Sequence, residues 1–201
     1  MSEIASRPYR RRADAERSIA AILDAALELL GERPDASMAE IAAAAGVARQ
    51  TVYAHYESRE ALLTAVAERA LADAVAAIDA AEPRRGPPAD ALDRLVRAWW
   101  QTVERHARVL DALAAAFPHA EHVHQFHSPL LERVERLVRR GRRAGVFDRR
   151  LPIAWVTAAF LALMHAAAEA VAAGRIDAAD AGRALERTVP CVFGVDGRDR
   201  T

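Results

Sequence analysis

The chain has 201 residues, enough for one domain or two small ones and for a real buried core. Its 28 basic residues balance 28 acidic ones, so bulk charge points to neither a nucleic-acid nor a membrane partner. Every basic residue is Arg, the sequence having no Lys, so positive charge is carried only by planar forks suited to phosphate, carboxylate and guanine.

Apolar residues make up 52% of the chain and aromatics only 5%. Much of the apolar share is Ala, the strongest helix former and the one with least surface to bury. The expectation is a nearly all-helical chain whose helices pack closely or share apolar area with a second subunit. A GC-rich genome produces the same bias toward Ala, Arg and Asp, so composition alone assigns no function. Cys191 is a single Cys and cannot form an internal disulfide, and Met1 to Arg12 carry charges without an apolar signal region. Both point to the cytoplasm.

Residues 1–13 read as a mobile basic tail in which Arg7, Arg10, Arg11 and Arg12 are opposed only by Glu3. A first helix is expected from the N-cap Asp14, with Ile19, Ile22, Leu23, Ala26, Leu27 and Leu30 on one face and a stop at Gly31 and Pro34. A short helix follows from Ser37 to Ala45, a turn at Gly46 and Val47, and another short helix over 49–56. Ser58 caps a long fourth helix with the apolar face Leu62, Leu63, Val66, Leu71, Val75 and Ile78. The breaker Glu82-Pro83-Arg84-Arg85-Gly86-Pro87-Pro88 marks a helix-to-helix loop. Further helices are expected over 89–105, 107–116, 129–144, 152–173 and 177–190. The most apolar of these is interrupted by His165 and Glu169 and owes much of its length to Ala, so it reads as a buried helix and no membrane partner is expected. No segment alternates like a β-strand.

Residues 37–56 carry the chemistry. Two short helices joined by a tight turn form a helix-turn-helix pattern, in which Ile41, Ala42, Ala45, Val47, Val52 and Tyr56 close a small core and Gly46 permits the turn. The second helix then turns Arg49, Gln50, Thr51, Tyr53, Ala54 and His55 outward, toward a major groove about 12 Å wide. Arg can fork onto guanine, Gln onto adenine, and Thr can touch a thymine methyl. Tyr53 and His55 suit phosphates better. A polar helical hairpin in an ordinary bundle would show the same spacing.

The stretch from Ser37 to Leu63 resembles the N-terminal domain of the TetR (tetracycline-repressor-like) family of bacterial transcription regulators. The matching residues are Ile41-Ala42, Ala45-Gly46-Val47, Thr51-Val52-Tyr53, His55-Tyr56 and Leu62, within a region covering 12–63. The resemblance implies an all-α fold of about nine helices, with a DNA-binding domain over residues 1–57 and a ligand-binding and dimerising bundle over 58–201. It places DNA contacts on Ser37, Ala39, Arg49, Gln50, Thr51, Tyr53, His55 and Arg59. Ala39 has no reach for a base and Ala54 is small, so readout should lean on Arg49, Gln50 and Thr51. Over residues 1–60 eight Arg face ten acids, so binding must rest on placement. The tail Arg10, Arg11 and Arg12 either follows a groove as homeodomain arms do or merely solubilises the chain.

The C-terminal part is expected to sense and to pair. Trp155, Val156, Ala159, Phe160, Leu163 and Ala167, with Leu185, Val189 and Val192, are natural material for a symmetric four-helix interface, and the resemblance points the same way. Candidate lining for a ligand pocket is Trp99, Trp100, Phe117, Phe126, Phe160, Met164 and His165, each of which would equally serve as ordinary core. His119, His122, His124 and His127, with Glu121, form a cluster of imidazoles able to hold zinc. The two single-face pairs do not share a face on a straight helix, so a polar loop is favoured and no cofactor is expected. The run Arg133, Arg136, Arg139, Arg140, Arg142, Arg143 is interleaved with Glu132 and Glu135 and reads as a solvated face.

The resulting expectation is a cytoplasmic dimer that binds double-stranded DNA at a palindromic operator, represses transcription, is released by an unknown small molecule, and is not an enzyme. The alternatives are a metal-responsive regulator using the His119 to His127 cluster, a helical di-metal enzyme built on Glu121 and His124, and a helical adaptor without DNA binding. The di-metal reading lacks the second Glu-x-x-His copy that such bundles need.

Overall fold

Helices form wherever Ala, Leu and Arg supply propensity and the apolar residues recur at three and four. The computed structural model describes residues 6–116 and 126–195, with side chains over 12–106 and 126–195. Among the described residues there are eight helices and no strand: α1 Ser6–Glu32, α2 Met38–Ala44, α3 Arg49–His55, α4 Arg59–Ala80, α5 Pro88–Ala116, α6 Ser128–Arg143, α7 Ile153–Ala172 and α8 Ala178–Phe193. The all-α class is as expected. The expected segments 89–105 and 107–116 are a single helix, no Gly or Pro separating Arg105 from Ala107.

Two other boundaries differ from expectation. The basic segment is helical from Ser6 rather than a free tail up to Asp14. Its Arg and Ala residues favour helix, and Pro8 falls in the first turn, where its missing N–H costs no bond. At the other end, α8 runs through Pro190 to Phe193. Burial of Val189, Pro190 and Phe193 and a left-handed Gly194 cap at φ 70° hold this last turn.

Among the described residues the chain divides into two compact units, the first of residues 6–69 and 108–116 and the second of residues 70–107 and from 126 onward. In the first unit α1 packs on α2 and α3, and α2 packs on α3. Ile22, Ala26 and Leu30 from α1, Ile41 from α2, Val52 from α3 and Leu62 and Val66 from α4 are essentially inaccessible. Each such aliphatic chain larger than Ala contributes roughly 1.5–3 kcal/mol by leaving water. Ala45, Val47 and Tyr56 are only half-buried. In α4 the small residues Ala67, Ala70 and Ala74 take inner positions, and Leu71 and Val75 are half-buried.

The second unit contains Ala70–Ala107 and the described residues from 126 onward. Its core gathers Leu92, Leu95 and Trp99 from α5, Leu130 and Val134 from α6, Phe160 and Met164 from α7, and Leu185 and Phe193 from α8. The buried hydroxyls of Thr102 and Thr157 donate to backbone carbonyls one turn back, at 3.1 Å to Ala98 and to Ala154. Glycine allows two close approaches. A Cβ on Gly182 would stand 2.9 Å from Trp100, whose indole Nε1 donates to the Ala178 carbonyl at 3.0 Å. A Cβ on Gly141 would stand 2.1 Å from Phe147, itself 5.4 Å edge-on to Phe193.

By length and composition α7 could cross a membrane, yet only 28% of its apolar window is buried. It is therefore not the fully buried helix expected. One stripe, Val156, Thr157, Phe160, Leu161 and Met164, faces the core, and Trp155 on the other side is 61% exposed.

Because Phe147 is enclosed, Gly141→Ala should force that ring and its partner Phe193 to shift, costing about 1–3 kcal/mol. Urea unfolding measures this, and an unchanged midpoint would show that the ring swings away freely.

Candidate nucleic-acid interface

A two-turn helix places its side chains at steps of about 100° around the axis, so fixing one residue fixes them all. Val52 is fully buried. Gln50 and Ala54 then point the opposite way, with Arg49 and Tyr53 on one flank and Thr51 and His55 on the other. The accessibilities agree: Arg49, Gln50, Tyr53 and Ala54 are exposed, whereas Thr51 and His55 are half-buried. Gln50, not Thr51, stands at the centre of the outward face. Gly46, at φ 67° with open space around it, turns the chain between α2 and α3, and the Val47 N–H donates back to the Ala42 carbonyl at 3.0 Å.

Ser37 is occupied in starting α2. Its Oγ accepts from the Glu40 N–H at 3.3 Å and the Glu40 carboxylate accepts from the Ser37 N–H at 2.8 Å, a reciprocal capping box. Arg33 donates to the same carboxylate at 2.6 Å. Together the Ser37 backbone bond, the Ser37 hydroxyl and Arg33 hold Glu40 at a pKa of about 2 against an ordinary 4.5. Ala39 is exposed beside this cap.

Arg59 has a task that the sequence did not reveal. Its guanidinium donates to the Pro34 carbonyl at 2.6 Å and to the Ala36 carbonyl, tying the start of α4 to the α1–α2 loop. That use competes with a phosphate contact. Arg17 pairs with Asp14, Arg69 with Asp24 at 3.0 Å, and Arg12 with Glu16 at 3.4 Å. Arg10, Arg11 and Arg12 belong to helix α1 rather than to an extended arm. Arg49 differs from these. Among the described residues its guanidinium meets Tyr53 rather than a carboxylate, 5.3 Å above the ring centroid and 3.5 Å from the hydroxyl. Such an i, i+4 cation–ring pair preorganises the fork while leaving its charge uncompensated.

In the second unit Trp99, Phe126, Phe160 and His165 do come together, around a residue placed elsewhere by the sequence reading. His127 lies 6.3 Å from Trp99 in a stacked arrangement, 5.1 Å from Phe126 and 5.0 Å from His165, and Trp99 lies 5.0 Å from Phe160. Crowding by apolar neighbours pushes the His165 pKa below its usual value, although part of the residue still reaches solvent. Trp100 points instead to α8, and Met164 is buried in α7. Phe117 and the histidines 119, 122 and 124 with Glu121 lie outside the described residues. Of the residues expected to pair with a second subunit, Val156, Phe160, Leu185 and Val189 are buried within the protomer, Ala159, Leu163, Ala167 and Val192 are half-buried, and Trp155 is exposed.

The tetR family of bacterial regulatory proteins has a sequence model that matches residues 22–66. The HTH-type transcriptional repressor LfrR of Mycolicibacterium smegmatis is 47% identical over 81 residues, 40% of this chain, and the match spans 43% of that protein's length. The crystal structure of the TetR-like transcriptional regulator LfrR from Mycobacterium smegmatis in complex with proflavine is 31% identical, with a TM-score of 0.67 over 87% of this chain and 94% of that one. FadR from Bacillus subtilis in complex with stearoyl-CoA is 13% identical and shares the fold, with a TM-score of 0.72 over 88% of this chain and 97% of its own.

A carboxyl whose pKa is lower in the folded than in the unfolded chain favours folding above its ordinary pKa and loses that effect as pH falls toward the folded value. Glu40→Gln should therefore lower the denaturation midpoint at pH 7. Variant and parent should converge between pH 4.5 and about 2, and a gap that persisted unchanged at pH 2 would contradict this.

Proposed function

This chain belongs to the TetR family of bacterial regulatory proteins, and from that premise we propose that it is a cytoplasmic repressor. It binds a palindromic operator as a homodimer and releases it when a small molecule occupies the second unit. The observation that carries the reading is the outward face of α3, where Arg49 and Gln50 are exposed and the Arg49 charge has no carboxylate against it among the described residues. A fork and a terminal amide side by side suit guanine and adenine in the major groove. Two such helices related by a twofold axis require half-sites about 34–36 Å apart or a multiple of that.

Pairing falls to the outer faces of α7 and α8. Trp155 offers a large exposed ring, and the exposed Ala158, Ala162 and Ala166 recur every four residues, a row small enough to admit a second helix closely. The ring cluster about His127 suits a flat aromatic effector, and the relative LfrR has been solved with proflavine. Because α4 is one helix with residues in both units, an effector that prefers one setting of α4 alters the spacing of the recognition helices. A coupling of about 1–3 kcal/mol is typical of such switches.

Selection of genomic fragments by the purified protein should enrich a palindrome, and proflavine should release it. Arg49→Ala should lose about tenfold or more at one base pair per half-site, whereas Arg11→Ala should weaken binding to all sequences and flatten the salt dependence. Enrichment of no palindrome would sink the repressor reading. Separately, Trp155→Glu should shift the species in sedimentation from dimer to monomer and abolish operator binding. Retention of the dimer would move the interface away from α7.

A further inference from the structure

Arginines fasten helix α4 at both ends. At its far end, in the second unit, Arg133 of α6 takes both oxygens of Asp79 at 2.7 and 2.5 Å. Just beyond the helix, Arg94 of α5 donates to the carbonyls of Ala81 and Arg85 at 3.0 and 2.7 Å, and Arg140 of α6 donates to the Arg84 carbonyl. The arginine run of α6 is therefore in part a fastening, not wholly the solvated face that its sequence suggests. At the start of α4, in the first unit, Arg59 plays the corresponding part toward the loop that leads into α2.

The peptide between Ala36 and Ser37 is where this second tie acts. Its carbonyl accepts from Arg59 Nη1, and its N–H donates to the Glu40 carboxylate at 2.8 Å. A peptide unit is planar, so these two bonds hold opposite edges of one rigid plate. One edge belongs to α4 and the other to the first turn of α2. Arg59 Nη2 adds the Pro34 carbonyl at 2.6 Å, so the fork fixes the direction of the plate as well as its distance. Ala36 is almost fully buried, and a buried carbonyl left without a donor costs about as much as a lost hydrogen bond. Leu62, Leu63 and Val66 also join α4 to the first unit, but apolar burial is non-directional and tolerates small rotations of the helix. Beyond the cap, Met38 and Ile41 are buried, α2 packs on α3, and the Val47 N–H closes the turn on the Ala42 carbonyl.

We propose that Arg59 is the positioning residue through which the setting of α4 is passed to α2, and so to α3, and that it is not a phosphate contact. Both of its Nη atoms are turned to the loop, and the side chain is half-buried rather than displayed. The relay deepens the repressor reading and rests on it: an effector that resets α4 moves the Ala36–Ser37 plate, and the plate carries the recognition helix with it.

Backbone amide exchange of the full-length protein, followed by mass spectrometry, tests the tie without DNA. Arg59→Gln should speed exchange over residues 38–44 and 49–55 at least about tenfold, because charge-assisted bonds to backbone are lost, while residues 64–80 exchange as in the parent. Binding to the selected palindrome should weaken with the slope of log affinity against log salt unchanged, whereas loss of a phosphate contact lowers that slope by about 0.9. The ratio of operator affinities without and with saturating proflavine should fall at least about threefold. Far-UV circular dichroism checks that the variant folds. Should it not, Arg59→Lys, which keeps the charge and loses the planar fork, takes its place with the same directions expected. Unchanged exchange over 38–44, a salt slope lowered by about 0.9, or an unchanged proflavine ratio overturns the proposal. A parent protein that binds no palindrome, or keeps it in proflavine, fails the repressor reading instead, and the exchange result alone then decides the tie.

Discussion

Helix α3 is too short to exist by itself. Seven residues close only about two turns, well below the length at which an isolated helix is stable in water. It lacks a side-chain cap at its start. What holds it is burial of Val52 and packing on α1 and α2. That one constraint determines the rest of the interface, because a helix with one side chain pinned inward has no freedom to choose which ones face out. The glycine turn, the Ser37–Glu40 cap and the Arg59 tie to the Pro34 and Ala36 carbonyls all serve the same end.

Small side chains shape the second unit in a comparable way. An Ala-rich helix buries little area per residue, so stability depends on close approach. Gly141 and Gly182 supply it by admitting Phe147 and Trp100 against helix backbone. The same economy leaves α7 apolar on both sides with only one side covered. Trp155 is the residue most exposed by this arrangement among the large hydrophobics, and it gives a second copy something to cover.

A chain with Arg as its only permanent cation has one recurring problem, the placement of planar donors. Most of the guanidinium groups described above are answered by carboxylates or by backbone carbonyls. Arg49 and Arg140 stand out by what they lack. The first is exposed over a neutral ring, ready for an anionic or base-edge partner. The second is half-buried, its Nε and Nη2 meeting no acceptor among the described residues. Formal neutrality of the whole chain says nothing about either, since a sum erases position.

Helix periodicity, the Ser37 cap and the punctuation by Gly and Pro are local properties, and they made α2 to α4, the end of α1, the turn at Gly46 and the exposed Arg49, Gln50, Tyr53 and Ala54 of α3 readable from residue order. Val156, Phe160 and Met164, at spacings of four, form the inward stripe of α7, whereas residue order alone offered Val156 and Phe160 as material for an interface. What residue order does not carry is the identity of distant partners. Arg59 and the Pro34 carbonyl are 25 positions apart, Arg133 and Asp79 are 54 apart, and Trp100 and Ala178 are 78 apart. Whether an arginine is a DNA contact, a loop tie or an unanswered charge depends on which acceptor the fold brings within 3 Å, and that is decided only when the helices pack.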